Sequence, residues 1–351
     1  IPVFHDDQHG TAICVASAIY NGLQIVGKDL DKVKFVTSGA GAAAIACLDL
    51  LVDMGVPIEN IIATDKDGVI HDGRKHEMHV KQARYAQKTH MRRLGEVIDG
   101  ADVFLGLSAP NVLTPEMLKK MADKPLIMAL ANPVPEIMPD VARDARPDAI
   151  IATGRSDFPN QVNNVLCFPF IFRGALDVGA TTINEEMKIA TVKAIANLAR
   201  AESSDIVAQA YANENLSFGP NYMIPKPFDP RLISEIAPAV AQAAMDSGVA
   251  TRPIDNMEVY VQQLNEFVWR SGNVMKPVID RAIADPKRVV YAEGEERRVL
   301  HAAQVVIDEG IAKPIVIGRR SVVESRIKEL GLRIEADKLR QPVSDLNSRK
   351  I

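Results

Sequence analysis

The sequence predicts an α/β protein: a Rossmann-like doubly wound parallel sheet followed by the start of a second α/β domain. Three observations carry that expectation. Short, near-continuous apolar runs recur between helical patterns, a glycine-containing turn follows the first of them, and a fresh strand-helix-strand pattern begins near the end of the chain. Residues 11–20 are apolar almost all round, which reads as a buried helix that ends near Asn21-Gly22. A strand is predicted over 33–37, a helix over 41–54 and a strand over 60–64. Further apolar runs at 103–107, 126–130 and 149–152 read as strands separated by helical patterns. Runs that are apolar on both faces fit a parallel sheet with helices covering both sides. The composition shifts after residue 200, where two long helical patterns flank the proline-rich stretch 218–230, expected to be an ordered loop and not a linker. A second boundary falls near 277–286. Beyond it a strand over 288–292, a helix over 295–309 and a strand over 313–317 open a new α/β unit. From its first strand to Ile351 that unit has only roughly 65 residues, few for a domain of this type.

Composition excludes several classes before any motif is considered. The 351 residues are 47% hydrophobic and 25% charged, with Lys+Arg 41 against Asp+Glu 45 and a net charge of -4. A disordered chain would be poorer in apolar residues, and a non-specific nucleic-acid binder would carry a basic excess, so no nucleic-acid partner is expected. Neither a membrane-length apolar run nor a signal segment is present, so no membrane partner is expected. Cys14, Cys47 and Cys167 match neither a disulfide framework nor a zinc site, which fits a reducing cytoplasm. Because the chain opens at Ile1 in a polar stretch, His5-Asp6-Asp7-Gln8-His9-Gly10, the natural protein is expected to extend upstream, and the short second unit points to truncation at the other end as well.

The most specific local signal is Ser38-Gly39-Ala40-Gly41-Ala42-Ala43-Ala44, a GxGxxA pattern between a predicted strand and a predicted helix. Gly39 permits the tight turn and Gly41 lets a pyrophosphate approach the backbone. Ala44 allows close packing of helix on strand, and the helix start offers free N–H donors. Asp65, at the end of the next strand, stands where a partner for a ribose hydroxyl is expected. A carboxylate there favours NAD. Lys66, Arg74 and Lys75 in the same loop instead offer cations for a 2′-phosphate. A tight turn that merely needs small residues, and a solvated basic loop, are the structural alternatives.

Asp6 and Asp7 lie side by side before a buried helix. A divalent cation or a lysine would relieve their repulsion, and oxygen donors suit Mg²⁺ or Mn²⁺; the alternative is capping of the helix start. His5 and His9 are read as structural. Asn132, in Ala131-Asn132-Pro133, lies at the carboxyl end of a predicted strand, and Asn163-Asn164 lies beyond another, where open α/β sheets bind ligands. Amides bind carboxylates or carboxamides without adding charge, although Asn-Pro is also a plain turn signal.

Together, His5 to Ala12, the 38–43 turn, Thr64-Asp65-Lys66-Asp67-Gly68, Leu130-Ala131-Asn132-Pro133 and Asn163-Asn164 resemble the bacterial malic enzymes, from residue 1 to about 270. Beyond that, 288–298 and 310–319 resemble the start of a phosphate acetyltransferase-like domain. The pairing is similar to the large hybrid malic enzymes, usually NADP-linked and sensitive to acetyl-CoA. The resemblance implies oxidative decarboxylation of (S)-malate to pyruvate and CO2 with NADP, or alternatively NAD, as acceptor and Mg²⁺ or Mn²⁺ as the metal. It implies that Asp7 is a metal ligand and that Asp6 supports a general-base lysine. Ser38, Gly39, Ala40, Gly41, Ala42, Ala43, Asp65 and Lys66 would bind the cofactor. Asn132 would hold malate and the nicotinamide side, and Asn163 and Asn164 malate. The lysine base, the tyrosine acid and a Glu-Asp pair of metal ligands lie upstream in the family, so the 351 residues alone are expected to be inactive. The implied division is 1–20 as the end of a substrate and metal domain, 21–205 as the NAD(P)-binding domain, 206–270 as a helical part and 271–351 as the partial acetyltransferase-like domain. A homo-oligomer with acetyl-CoA as effector is implied on the same ground. The rival readings are a metal-independent NAD(P) dehydrogenase of another small acid, an acyl-CoA-sensing regulatory module, and a folded but inactive product.

Overall fold

In the computed structural model, residues 2–74, 78–201, 217–308, 310–330, 332 and 334 are described. The chain divides into two compact units, Ile1–Asn265 and Glu266–Ile351, each taken by itself. The helices are α1 (Thr11–Val26), α2 (Ala42–Asp53), α3 (Val80–Ala83), α4 (Leu94–Val97), α5 (Pro115–Leu118), α6 (Pro139–Ala145), α7 (Phe168–Asp177), α8 (Glu185–Arg200), α9 (Leu232–Asp246), α10 (Met257–Ala284), α11 (Arg297–Asp308) and α12 (Arg320–Glu329).

The first unit is built on β1 (Phe35–Ser38), β2 (Ile61–Asp65), β3 (Gly68–Val69), β4 (Val103–Gly106), β5 (Leu126–Ala129) and β6 (Ile150–Thr153), in the order β3-β2-β1-β4-β5-β6. Every neighbouring pair is parallel except β2-β3. The predicted strands of this unit are all present with small shifts at their ends; the short antiparallel β3 had no sequence signal. β1, β4, β5 and β6 are buried along their whole length, as their unbroken apolar sequences require. On one face Val36, Phe104, Ile127 and Ile151 pack with Val97, Ile98, Leu113, Leu118 and Met121. The chain crosses from β2 back past β1 to β4, so a switch in strand order lies between β1 and β4, where open α/β sheets form their binding crevice.

The buried helix runs beyond its predicted end. Asn21-Gly22 does not stop α1, which continues to Val26 and closes on Gly27 in the left-handed region, φ 72°. Both residues serve packing instead. A β-carbon on Gly22 would lie 2.9 Å from a Leu126 methyl. Asn21 is fully buried and donates to Ala196 O and Met223 O, both at 2.9 Å, while accepting from Arg200 Nε at 2.8 Å. Tertiary hydrogen bonds replace the turn that the local sequence favours. The 218–230 stretch is an ordered loop, as expected: Asn160 donates to Pro220 O at 2.7 Å and accepts from Met223 N at 2.9 Å, and Tyr222, Met223 and Ile224 are buried. The helical pattern predicted before it, the boundary at 205/206, Lys75 and Glu309 lie outside the described residues.

In the second unit β7 (Lys287–Tyr291) and β8 (Ala312–Val316) pair in parallel, as predicted, with α11 between them in sequence. Leu300, Ala303, Val316, Val323 and Ile327 form its core. Among the described residues no helix is long and apolar enough to cross a membrane. Cys14, Cys47 and Cys167 are buried and unbridged.

Candidate active site at the switch point

The glycine turn has the geometry its residues demand. Gly39 has φ 107°, and a β-carbon there would strike the Leu107 carbonyl, so only glycine fits. Its N–H donates to Thr64 O at 2.9 Å, tying the turn to β2. Gly41, by contrast, has an ordinary φ of -75° and nothing within 4 Å of a β-carbon position. The space in front of it is open, no side chain caps α2, and the first N–H groups of α2 are left for a ligand. Ala44 is buried against the strand, as its place in the pattern predicts. Ala40 is buried, with its carbonyl accepting from Gln82 Nε2 at 2.9 Å; Ala42 is exposed and Ala43 half-buried. Ser38 Oγ lies 2.8 Å from Ser108 Oγ across the switch point.

Asp65 ends β2 and is already engaged. Arg74 meets it with both terminal nitrogens, Nη2 to Oδ1 at 2.5 Å and Nη1 to Oδ2 at 3.0 Å, and the Asp67 N–H adds a bond of 2.8 Å. Burial pushes the Asp65 pKa up, but these donors outweigh it and hold the carboxyl below its usual range. The Arg74 side chain is only 5% exposed, so the pair is a fixed part of the loop rather than a passing surface contact. Lys66 is exposed beside it.

Residues Asp6–Gly10 form a π-helical turn that runs directly into α1. Neither Asp6 nor Asp7 caps a helix through a side-chain hydrogen bond, although both lie in the first helical turn, where carboxylates complement the dipole. The Asn164 amide donates to Asp6 Oδ2, and Gly10 lacks a side chain where one would strike Asp6 Oδ1 and crowd Asn164. Asp6 Oδ1 is buried and has no hydrogen-bond partner. Burial first, then the charge of Asp7, raises the Asp6 pKa, against the bond from Asn164. His9 Nδ1 accepts from the His5 N–H at 3.2 Å, a local structural contact.

Asp7, Asn132, Asn163 and Asn164 line one cleft of about 260 Å³, together with Ala43 of α2 and Gly154. Asn132 is exposed on it, after β5, with a cis peptide to Pro133. Asn163 Oδ1 accepts from the Val165 N–H at 3.0 Å and so caps a short 3-10 turn, which leaves its amide nitrogen as a donor. A larger cleft of about 590 Å³ runs along α2 past Ala42, Ala46 and Asp49, but none of those four polar residues lines it. Ala40, Gly41 and Ala42 of the glycine turn line the larger cleft, and the four polar groups converge on the smaller one. Sequence reasoning missed Glu136 and Ser108, which underlie this cleft. Glu136 lies in a proline-rich turn with no periodicity to mark it as buried.

Asp7 offers oxygen donors of the kind a hard divalent ion takes, and the buried, unpartnered Asp6 Oδ1 beside it is an acceptor for a cationic group. Among the described residues no group of three His, Cys, Asp or Glu side chains could hold a metal ion, so these residues fit part of a coordination shell and not a whole one.

A doubly wound sheet with an open glycine turn at its switch point defines a dinucleotide-binding protein with an acid- and amide-lined substrate cleft. Comparison with known proteins makes this specific. Residues 8–210 match the family described as "Malic enzyme, NAD binding domain". The chain belongs to the malic enzyme family. Residues 273–350 match the family described as "Phosphate acetyl/butaryl transferase", the arrangement of the hybrid type. An NADP-dependent malic enzyme of Salmonella typhimurium is 64% identical over 337 residues, covering 96% of this chain and 44% of that protein. An NAD-dependent malic enzyme of Rhizobium meliloti is 63% identical over 338 residues, covering 96% and 44%. The chain thus spans less than half the length of these relatives. The crystal structure of a malic enzyme from Pyrococcus horikoshii aligns with a TM-score of 0.69 at 36% identity, covering 79% of this chain and 63% of that one.

Proposed function

We propose that this chain is part of an enzyme that converts (S)-malate to pyruvate and CO2 with reduction of NADP, NAD being the alternative acceptor. The observation that carries the reading is the convergence of Asp7, Asn132, Asn163 and Asn164 on one cleft beside the glycine turn. The Asn amides offer N–H donors to the malate carboxylates, with Asn132 also serving the nicotinamide side. Ser38, Gly39, Ala40, Gly41, Ala42 and Ala43 form the pyrophosphate turn. Asp65 and Lys66 flank the adenosine ribose. The Arg74 guanidinium on Asp65 supports NADP, because it offsets the carboxylate charge that would repel a 2′-phosphate.

A bound Mg²⁺ or Mn²⁺ would polarise the C2 oxygen of the substrate and favour loss of CO2 from the β position. Asp7 would lend it a carboxylate oxygen. Asp6 is held by Asn164 and keeps one buried oxygen without a partner, which suits a cationic donor such as the general-base lysine of the family. The domain division proposed is the one stated above: 1–20, 21–205, 206–270 and 271–351. A homo-oligomer in the cytoplasm, with acetyl-CoA acting through the last domain, completes the proposal.

The test is malate-dependent reduction of NADP and of NAD by the full-length protein, with Mn²⁺ and then with chelator. Reduction with pyruvate formed and abolished by chelator is the expected result. Reduction that survives chelation would favour the metal-independent dehydrogenase of another acid.

A further inference from the structure

We propose that Glu136 is a positioning residue for the Asn132 amide, locking the loop after β5 to the loop after β4 beneath the substrate cleft; this rests on the assignment of Asn132 above. Glu136 is fully buried. A buried carboxylate is unfavourable unless its oxygens are satisfied, and here the donors come from two loops. Oε1 accepts from the Ser108 N–H at 2.9 Å and from its hydroxyl at 3.3 Å; Oε2 accepts from the Ala131 N–H at 3.0 Å. No ion pair among the described residues involves Glu136. The carboxylate is therefore held by backbone donors, and those donors are held by it.

What it locks is the edge of the proposed site. Ala131 immediately precedes Asn132. Ser108 reaches on to the Ser38 hydroxyl at 2.8 Å, at the entrance of the glycine turn. Glu136 thus joins the ends of β4 and β5, and the Ser108 hydroxyl extends the link to β1. The backbone repeats the tie, since Leu113 N–H donates to Glu136 O at 3.1 Å and Asn111 N–H to Pro135 O at 3.2 Å. Gly106 yields the room: a β-carbon there would lie 2.7 Å from both carboxylate oxygens. An apolar residue would fill this space equally well, but only an acceptor with two oxygens can fix both loops at once.

The experiment uses the full-length enzyme. Glu136→Gln keeps the size but turns an NH2 group toward one of the two backbone N–H groups, donor against donor. Gly106→Ala displaces the same carboxylate from the other side and carries the test if the first variant does not fold. Both should lower kcat/KM for malate by about 100-fold, the effect of a misplacement of order 1 Å. Added to Asn132→Ala, Glu136→Gln should cause no further loss, because it acts through that amide. Additive losses, or malate kinetics unchanged in both single variants, would overturn the proposal. Amide hydrogen exchange gives a readout independent of activity: Glu136→Gln should speed exchange at 107–109 and 130–134 and leave 61–65 unchanged. Unchanged exchange at 107–109 and 130–134 overturns the lock, whereas a wild-type enzyme that does not oxidise malate overturns only the functional assignment of Asn132.

Discussion

Adding one methyl group at Gly41 separates ligand binding from folding more cleanly than any other change to the turn. Gly41 has φ -75°, and a β-carbon there meets nothing within 4 Å, so Gly41→Ala introduces no strain and no clash in the free protein. Reduced unfolded-state entropy stabilises by about 0.4–1 kcal/mol, and the weaker N-cap offsets roughly that amount, so Tm should stay within about 2–4 °C of its original value. The methyl would instead occupy the open space in which a pyrophosphate is proposed to lie. Losing one charge-assisted N–H bond to a phosphate costs about 1.5–3 kcal/mol, which weakens the Kd for NADP by roughly 10- to 150-fold. Gly39→Ala is the control of opposite character. Its φ of 107° and a β-carbon 2.9 Å from the Leu107 carbonyl carbon impose strain on the fold itself, about 1–3 kcal/mol, so Tm and binding should fall together. Fluorescence titration of NADPH and thermal unfolding of both variants decide the matter. Wild-type NADP affinity in Gly41→Ala would refute the reasoning, because it would make the pattern a tight turn and nothing more.

Four other outcomes follow from the same structure. Asn21→Leu leaves the Ala196 and Met223 carbonyls and the Arg200 guanidinium without a buried partner, a loss of about 3 kcal/mol that should lower Tm by roughly 6–12 °C in a thermal melt. Arg74→Gln strips Asp65 of its counter-charge, and parallel titrations should show NADP affinity falling about tenfold relative to NAD. The same pair sets an acid limit: with the Asp65 pKa below its unfolded value, its stabilisation is complete above about pH 4 and fades as pH drops through the lower folded value, a window that Arg74→Gln should abolish in acid unfolding curves. Asp7→Asn in the full-length enzyme should lose Mn²⁺-dependent turnover with nucleotide affinity nearly intact; equal loss of both would make Asp7 a structural residue.

Features set by neighbours in the chain were legible before any coordinates. The strands announce themselves because a sheet covered on both faces needs unbroken apolar runs, and the glycine turn because tight curvature and open backbone each demand a missing side chain. The position of Asp65 at a strand end was readable for the same reason, but its partner was not. Arg74 reaches Asp65 through the short β2-β3 return, whose two-residue strand has no periodicity to read. Asn21-Gly22 misled, since a local turn signal was outweighed by hydrogen bonds to α8 and to the loop after it.

The sequence by itself determined the fold class, the dinucleotide turn and the residue types available for chemistry, because backbone geometry and burial pattern act over a few residues at a time. Only the tertiary structure decided which of those residues meet. The Asn164 amide finds Asp6 from 158 residues away in the chain, and Glu136 joins Ser108 to Ala131 across two strand ends. Such contacts depend on strand order and on the packing of α1 against the sheet, and no local pattern records either of them.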